Sequence, residues 1–248
     1  MIRAVLLLAV LLGAWELYAQ LGGVEDLILP APSEVATALW DDRSLLWDNF
    51  LVTAEEVVLG LLVAVAAAAI LATAIHFSPA VRGAVYPLLV ASQTVPIVIV
   101  APLLVVWFGY DLGPKLAIIA LICFFPIVVA ALDGLASVDP DLRKLMRTFD
   151  APRLRTFRLV ELPCALPSLL TGARIAVAIA VIGAVLAEQA GSSDGLGHVL
   201  LQATPQLETA RAYAAVVVLS VFAILLFGLI ALLERRLAPW SNRTRGAT

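Results

Sequence analysis

Charge is the first thing this sequence lacks. Of 248 residues, 16 are Lys or Arg and 19 are Asp or Glu, 14% in all. A water-soluble domain carries about a quarter. A chain that is 62% hydrophobic with a mean hydropathy of +1.01 cannot cover a water-facing surface with so few charges. Lipid is the natural solvent for the excess apolar area. Reactive side chains are scarce too. There are two histidines and two cysteines. Cys123 lies in an apolar run and Cys164 follows a basic loop, so they fall at different depths and no disulfide is expected. His76 and His198 sit at segment ends with no metal-ligand spacing around them. No paired intramembrane aspartates and no Ser–His pair suggest an intramembrane enzyme. No G-x-x-x-x-G-K-[ST] run is present to cradle nucleotide phosphates. Catalytic, cofactor-binding and metal residues are therefore expected to be none. No nucleic-acid partner is expected, although the net charge of −3 by itself argues neither way.

Long apolar runs, by contrast, are abundant. A spanning helix needs about 20 apolar residues. Residues 57–75, 83–110, 116–132 and 212–233 carry no charge, and 162–187 is interrupted only by Arg174. A shorter run, 4–15, extends past Glu16 through Leu17, Tyr18 and Leu21. Arg3 before an apolar stretch also fits a signal peptide, but the further spans favour a retained anchor. The fold class predicted is all-α, a polytopic membrane helical bundle of about six transmembrane helices. It forms one domain over 1–248, with spans near 4–21, 52–76, 86–108, 115–133, 166–188 and 212–234. Six spans put both ends on one side. Twelve Lys or Arg then fall on that face and three (Arg43, Lys115, Arg211) on the other. The positive-inside rule makes the richer face cytoplasmic, with both termini there. The first external segment is acidic, and residues 33–50 are expected to include a short surface helix with Ser33 as N-cap.

The run 83–110 would exceed about 40 Å as one straight helix, more than the roughly 30 Å hydrocarbon slab. It contains Pro87, Pro96 and Pro102. The expected solution is a helix over 86–108 kinked near Pro96 and Pro102. Each proline frees a carbonyl that must face protein or water. Gln93 and Thr94 lie one turn from Pro96, which suits either a pathway or a proline-tolerant helix contact.

The basic loop 134–163 is the most informative segment. Asp139-Pro140 is a helix-start signal. Leu142, Leu145, Met146 and Phe149 then recur at i, i+3, i+4 and i+7, giving an amphipathic helix over 140–149 flanked by Arg143, Lys144 and Arg147. Such a helix can lie on anionic headgroups, pack under its own bundle, or dock a partner. The residues leave all three open.

This loop resembles the EAA loop of ABC-importer permeases. In that pattern Glu-Ala-Ala is followed after three residues by Gly, then after nine by Ile, one more residue, and Leu-Pro. Leu162-Pro163 closes it here, with Val160 at the Ile position and Asp150 at the Gly position. Lys144, Leu145 and Met146 replace Glu-Ala-Ala. Asp tolerates a left-handed backbone, so the turn can survive without Gly. Trp15-Glu16, the run Leu29-Pro30-Ala31-Pro32-Ser33-Glu34-Val35, Thr53 to Gly60, and Thr171-Gly172-Ala173-Arg174 followed by Glu188 resemble the nitrate/sulfonate/taurine branch. Within it, Ser92 to Pro96, Trp107-Phe108-Gly109, Phe124-Phe125-Pro126-Ile127 and Asp133-Gly134-Leu135 look most like permeases for thiamine-precursor pyrimidines, with riboflavin permeases close.

The resemblance implies a non-catalytic transport subunit of a bacterial inner membrane. It implies a second copy of the permease, a dimer of ABC ATPase subunits carrying ATP and Mg, and a periplasmic or lipid-anchored solute-binding protein. This chain itself binds no cofactor. Asp141, Leu142, Lys144, Leu145, Met146, Arg147, Thr148, Phe149, Asp150 and Ala151 would then form the ATPase-coupling segment. Candidate path residues are Gln93, Thr94, Pro96, Trp107, Phe124 and Glu188. An amide and aromatic faces suit a neutral heterocycle better than a sulfonate. Glu188 and Arg174 are charges whose placement in or near lipid is costly. The outer surface and snorkelling to the inner one are their bland alternatives. Riboflavin, sulfonate, taurine and nitrate remain alternative cargoes. An ATP-independent channel or secondary transporter is the rival class, and it would need ionisable residues deep in several spans.

Overall fold

A computed structural model describes residues 2–22 and 28–240, and every regular element among them is helical. In chain order these are α1 (Ile2–Leu21), α2 (Pro32–Asp41), α3 (Arg43–Phe77), α4 (Pro79–Ser92), α5 (Ile97–Phe108), α6 (Leu112–Ala136), α7 (Pro140–Thr148) and α8 (Arg153–Thr156). A π-helical turn (Phe157–Glu161), α9 (Leu162–Gly191), α10 (Leu196–Ala203) and α11 (Thr209–Leu237) follow. Four helical runs are long and apolar enough to cross a membrane: α3, α6, the continuous stretch Arg153–Gly191, and α11. The pair α4 and α5 makes a fifth candidate, bent by 100° at its break. The apolar helix α1 has 20 residues.

Two boundaries differ from the sequence expectation. The kinked helix 86–108 is instead two helices. α4 begins at Pro79 behind the N-cap Ser78, whose hydroxyl accepts from the Val81 amide, and ends at Ser92. Pro96 has no amide to continue the ladder and biases Val95 away from the α region. Tight turns from Gln93 to Ala91 and Val90, and from Thr94 to Ala91, close the break instead. The second difference lies at 33–50. Ser33 is not an N-cap. Ala31 holds that position, and its amide donates to the Glu34 carboxylate at 2.9 Å. Ser33 turns to Glu16 of α1, donating from its hydroxyl at 2.7 Å and its amide at 3.0 Å. Residues from Arg43 onward belong to the long helix α3, not to a surface helix.

The chain divides into two units. One holds Met1–Glu55 and Val185–Phe222, and the other Glu56–Ala184 and Ala223–Thr248. The second contains most of the apolar core. Val57, Leu61, Ala64, Ala68, Ala72 and Ile75 form one buried stripe along α3, at steps of three and four. Ile118, Ile119, Cys123, Ile127, Val128 and Ala131 do the same on α6, and Ala173, Ala176, Val177, Ala180 and Ala184 on α9. Small residues let these helices approach closely, the usual solution where lipid gives no hydrophobic drive between helices. A Cβ on Gly60 would stand 2.6 Å from Ile119 Cγ2, and one on Gly172 2.6 Å from Ala130 Cβ.

Among the described residues of this unit are a buried ion pair and a partly buried one. Lys115 Nζ of α6 lies 2.7 Å from Glu56 Oε1 of α3. Arg174 does not snorkel. Its guanidinium meets Glu234 at 2.9 Å and lies 4.6 Å from the centre of the Phe227 ring. In the other unit, Trp15 packs on Tyr213, Phe50 on Phe222, and Arg211 binds Asp42 at 2.7 Å.

Candidate functional site

The basic loop folds into a compact structure at the ends of α3 and α6. The Asp139 carboxylate accepts from the Asp141 amide at 2.8 Å and caps α7, as the Asp-Pro pair predicts. The far end of α7 closes on Asp150, which takes a φ of +50°. The Asp150 amide donates to the Arg147 carbonyl at 3.0 Å and the Ala151 amide to the Met146 carbonyl at 3.1 Å. This paired pattern around a left-handed residue is a Schellman motif. The position where the EAA pattern carries Gly thus keeps a glycine-like backbone with Asp in it.

Which face of α7 turns inward is decided by Arg143. Its Nε donates to Glu161 Oε1 at 2.7 Å and its Nη2 to the Leu135 carbonyl at 2.7 Å. Glu161 is nearly buried in the π-helical turn and meets His76 Nε2 of α3 with its other oxygen at 2.8 Å. An ionised carboxylate only accepts, so Nε2 of His76 is the donor in this contact. One carboxylate therefore ties α7, the end of α3 and the start of α9 together. Phe77 and Phe157 pack beside it with ring centres 5.1 Å apart, and Arg153 lies over Phe77 while bonding the His76 carbonyl at 3.0 Å. Sequence reasoning missed Glu161 and His76. The signal available was an acid three residues past the last of six bases, directly before Leu162-Pro163.

With Arg143 turned in, the apolar stripe of α7 turns out. Leu142, Leu145 and Phe149 are 41%, 51% and 72% exposed, and Met146 is half-buried. Asp141, Lys144, Arg147, Thr148 and Asp150 are exposed, Ala151 is half-buried, and Lys144 pairs with Asp141 of the same helix at 2.7 Å. Among the described residues nothing covers most of the Leu145 and Phe149 side chains.

The candidate path residues separate. Gln93, Thr94 and Pro96 come together, all exposed, at the break between α4 and α5. Gln93 lines a cavity of about 360 Å³ with Ser92, Val95, Ile97, Val100, Leu121 and Ile122. Trp107 is exposed at the end of α5, and Phe124 is half-buried on α6. Glu188 belongs to the other unit and is fully buried, not at an outer surface. It accepts from the Thr53 hydroxyl at 2.6 Å and from the Gly197 amide at 2.5 Å. The Leu196 amide donates to Thr53 Oγ1 at 2.9 Å and the Gly195 amide to Asn49 Oδ1 at 2.7 Å. The carboxylate thus faces the amide end of α10, where partial positive charge favours it. Gly195 has a φ of +105°, and a Cβ there would run into the Glu188 carboxylate.

Residues 58–239 match the family described as binding-protein-dependent transport system inner membrane component. The chain belongs to this family. It is 38% identical to a probable ABC transporter permease protein of Haemophilus influenzae over 95% of this chain and 96% of that one. It is 36% identical to the formylaminopyrimidine transport permease protein ThiX of Halalkalibacterium halodurans, covering 92% of each. It is 32% identical to the taurine transport system permease protein TauC of Escherichia coli, over 96% of this chain and 89% of that one. Its fold is also that of a chain in the crystal structure of an amino acid ABC transporter with histidines, with a TM-score of 0.61 at 15% identity, covering 81% of this chain and 97% of the other. The permease is a membrane component of ABC transport, and ATP hydrolysis is the work of a separate subunit.

Proposed function

We propose that this permease takes a small neutral heterocycle, a thiamine-precursor pyrimidine or a close analogue, from a solute-binding protein into the cytoplasm. The observation that carries the cargo reading is the near full-length similarity to the formylaminopyrimidine permease. The cavity at the α4–α5 break supports it. Its polar wall is Ser92 and the Gln93 amide, with no charge to recognise a sulfonate, and the rest is apolar. Riboflavin, sulfonate, taurine and nitrate are the alternative cargoes of the same class, since riboflavin and taurine permeases match at 35% and 32%. Uptake of labelled formylaminopyrimidine in a host lacking its own system tests the reading. Saturable uptake that falls at least severalfold in Gln93→Ala is expected. Taurine-selective uptake overturns it.

In this reading α1 is a sixth span, both termini are cytoplasmic, and two copies of the chain form the pathway beside two ATPase subunits holding ATP and Mg. Residues 141–151 dock the ATPase, and the exposed side chains Leu142, Leu145 and Phe149 fill its cleft. Leu145→Asp and Met146→Asp should each abolish uptake at normal membrane abundance and leave ATP hydrolysis uncoupled from it. Normal uptake by both variants would sink the docking role.

A further inference from the structure

Two adjoining cavities lie at the end of α3 and share His76 and Arg143. The first, about 420 Å³, is walled by Arg143, Arg147, Arg153, Thr156, His76 and Glu161. Three guanidiniums stand there against one carboxylate. Glu161 is already engaged on both oxygens, by Arg143 and His76. Arg147 makes no ion pair among the described residues, and Arg153 bonds only a carbonyl and stacks on Phe77. Both are exposed. The second cavity, about 250 Å³, is different in character. Ile75, Pro79, Leu132 and Leu135 give it an apolar wall, and Arg82 stands at its edge. A cationic cavity opening beside an apolar one, at the ends of spanning helices, matches an amphiphile with an anionic head.

We propose that these paired cavities hold an anionic phospholipid, its phosphodiester on Arg147 and Arg153 and the start of an acyl chain along Ile75, Leu132 and Leu135. Guanidinium forks recognise phosphate oxygens by charge-assisted, bidentate hydrogen bonds. The Thr156 hydroxyl is a further donor on the same wall. Arg143 and Arg147 lie about a third of a turn from the exposed apolar stripe of α7. The lipid therefore does not need the stripe; Arg147 also lies in the segment 141–151 proposed to dock the ATPase, so lipid retention is measured on the permease without that subunit.

The test uses the full-length chain in phosphatidylcholine nanodiscs doped with phosphatidylglycerol, with native mass spectrometry counting lipids retained on release. The wild type should retain phosphatidylglycerol over phosphatidylcholine. Arg147→Gln with Arg153→Gln should weaken retention about 30-fold, since each cation near a membrane surface contributes roughly fivefold. Arg235→Gln with Arg236→Gln removes the same charge at the end of α11 and should change retention little. Leu132→Gln should weaken phosphatidylglycerol retention severalfold, because it puts an amide on the wall that meets the acyl chain. Equal loss in both arginine pairs would show a diffuse surface effect and overturn the site. Displacement of phosphatidylglycerol by inorganic phosphate or glycerol 3-phosphate at comparable concentration would overturn the lipid and leave a free-phosphate site.

Discussion

Removing the Glu161 carboxylate should release α7 from its own bundle before it does anything else. Glu161 is only 6% exposed and accepts two hydrogen bonds, from Arg143 at 2.7 Å and His76 at 2.8 Å. Bonds to a charged acceptor contribute about 1.5–3 kcal/mol each. The Arg143 side chain is 31% exposed and keeps its bond to the Leu135 carbonyl, so water recovers part of the loss on that side. His76 is less exposed and loses its acceptor outright. The tie on α7 therefore falls in the lower half of that range, about 2 kcal/mol for Glu161→Ala. Glu161→Gln keeps one acceptor oxygen and should cost about half as much. Hydrogen exchange of the α7 amides reads this directly. If α7 opens by losing this tie, its protection should fall roughly 30-fold in Glu161→Ala, because about 1.4 kcal/mol is a factor of ten. Exchange within α6 should change far less. Unchanged α7 exchange at normal membrane abundance would refute the idea that this carboxylate holds the helix. Equal loss of protection in α6 and α7 would refute it differently, by showing global destabilisation.

Other expectations rest on separate contacts. Lys115→Met should destabilise the permease by about 3 kcal/mol because it leaves Glu56 buried without its cation, while Lys115→Met with Glu56→Leu should recover most of that. Detergent-solubilised melting curves for the four combinations give the coupling energy, and additive losses would exclude a working pair. Gly195→Ala should lower membrane abundance, since the new Cβ meets Glu188 and the residue has a left-handed φ; wild-type abundance and melting would show that α10 moves aside freely. Asp150→Gly should be neutral or stabilising by up to about 1 kcal/mol, and Asp150→Val destabilising, because a β-branched residue is poorly suited to positive φ. Equal melting temperatures for Asp150→Gly and Asp150→Val would deny the left-handed turn any energetic role.

Lipid-compatible composition and charge-free runs were enough to predict an all-helical membrane protein and to locate α3, α6, α9 and α11. Local chemistry also fixed α7, because Asp139-Pro140 and the i, i+3, i+4, i+7 stripe are properties of neighbouring residues along the chain. The left-handed turn at Asp150 was legible for the same reason. Its spacing from Leu162-Pro163 set it where a glycine-like backbone belongs, and Asp is one of the few side chains that accepts it. Proline positions pointed to a disturbed third segment, but not to a 100° break. That angle depends on which partner accepts the freed backbone groups, which is a tertiary matter. The same limit hid the polar pairs. Glu56 and Lys115 are 59 residues apart, His76 and Glu161 85 apart, and Thr53 and Glu188 135 apart. Nothing in the local pattern of either residue marks such a meeting. The direction in which α7 faces was open for a related reason. Amphipathicity says that a helix has two faces and not which one a neighbour covers. Here a buried carboxylate draws the basic flank inward, because an acid out of water needs a cation more than leucine needs shelter. The apolar stripe is therefore the side that α7 leaves exposed.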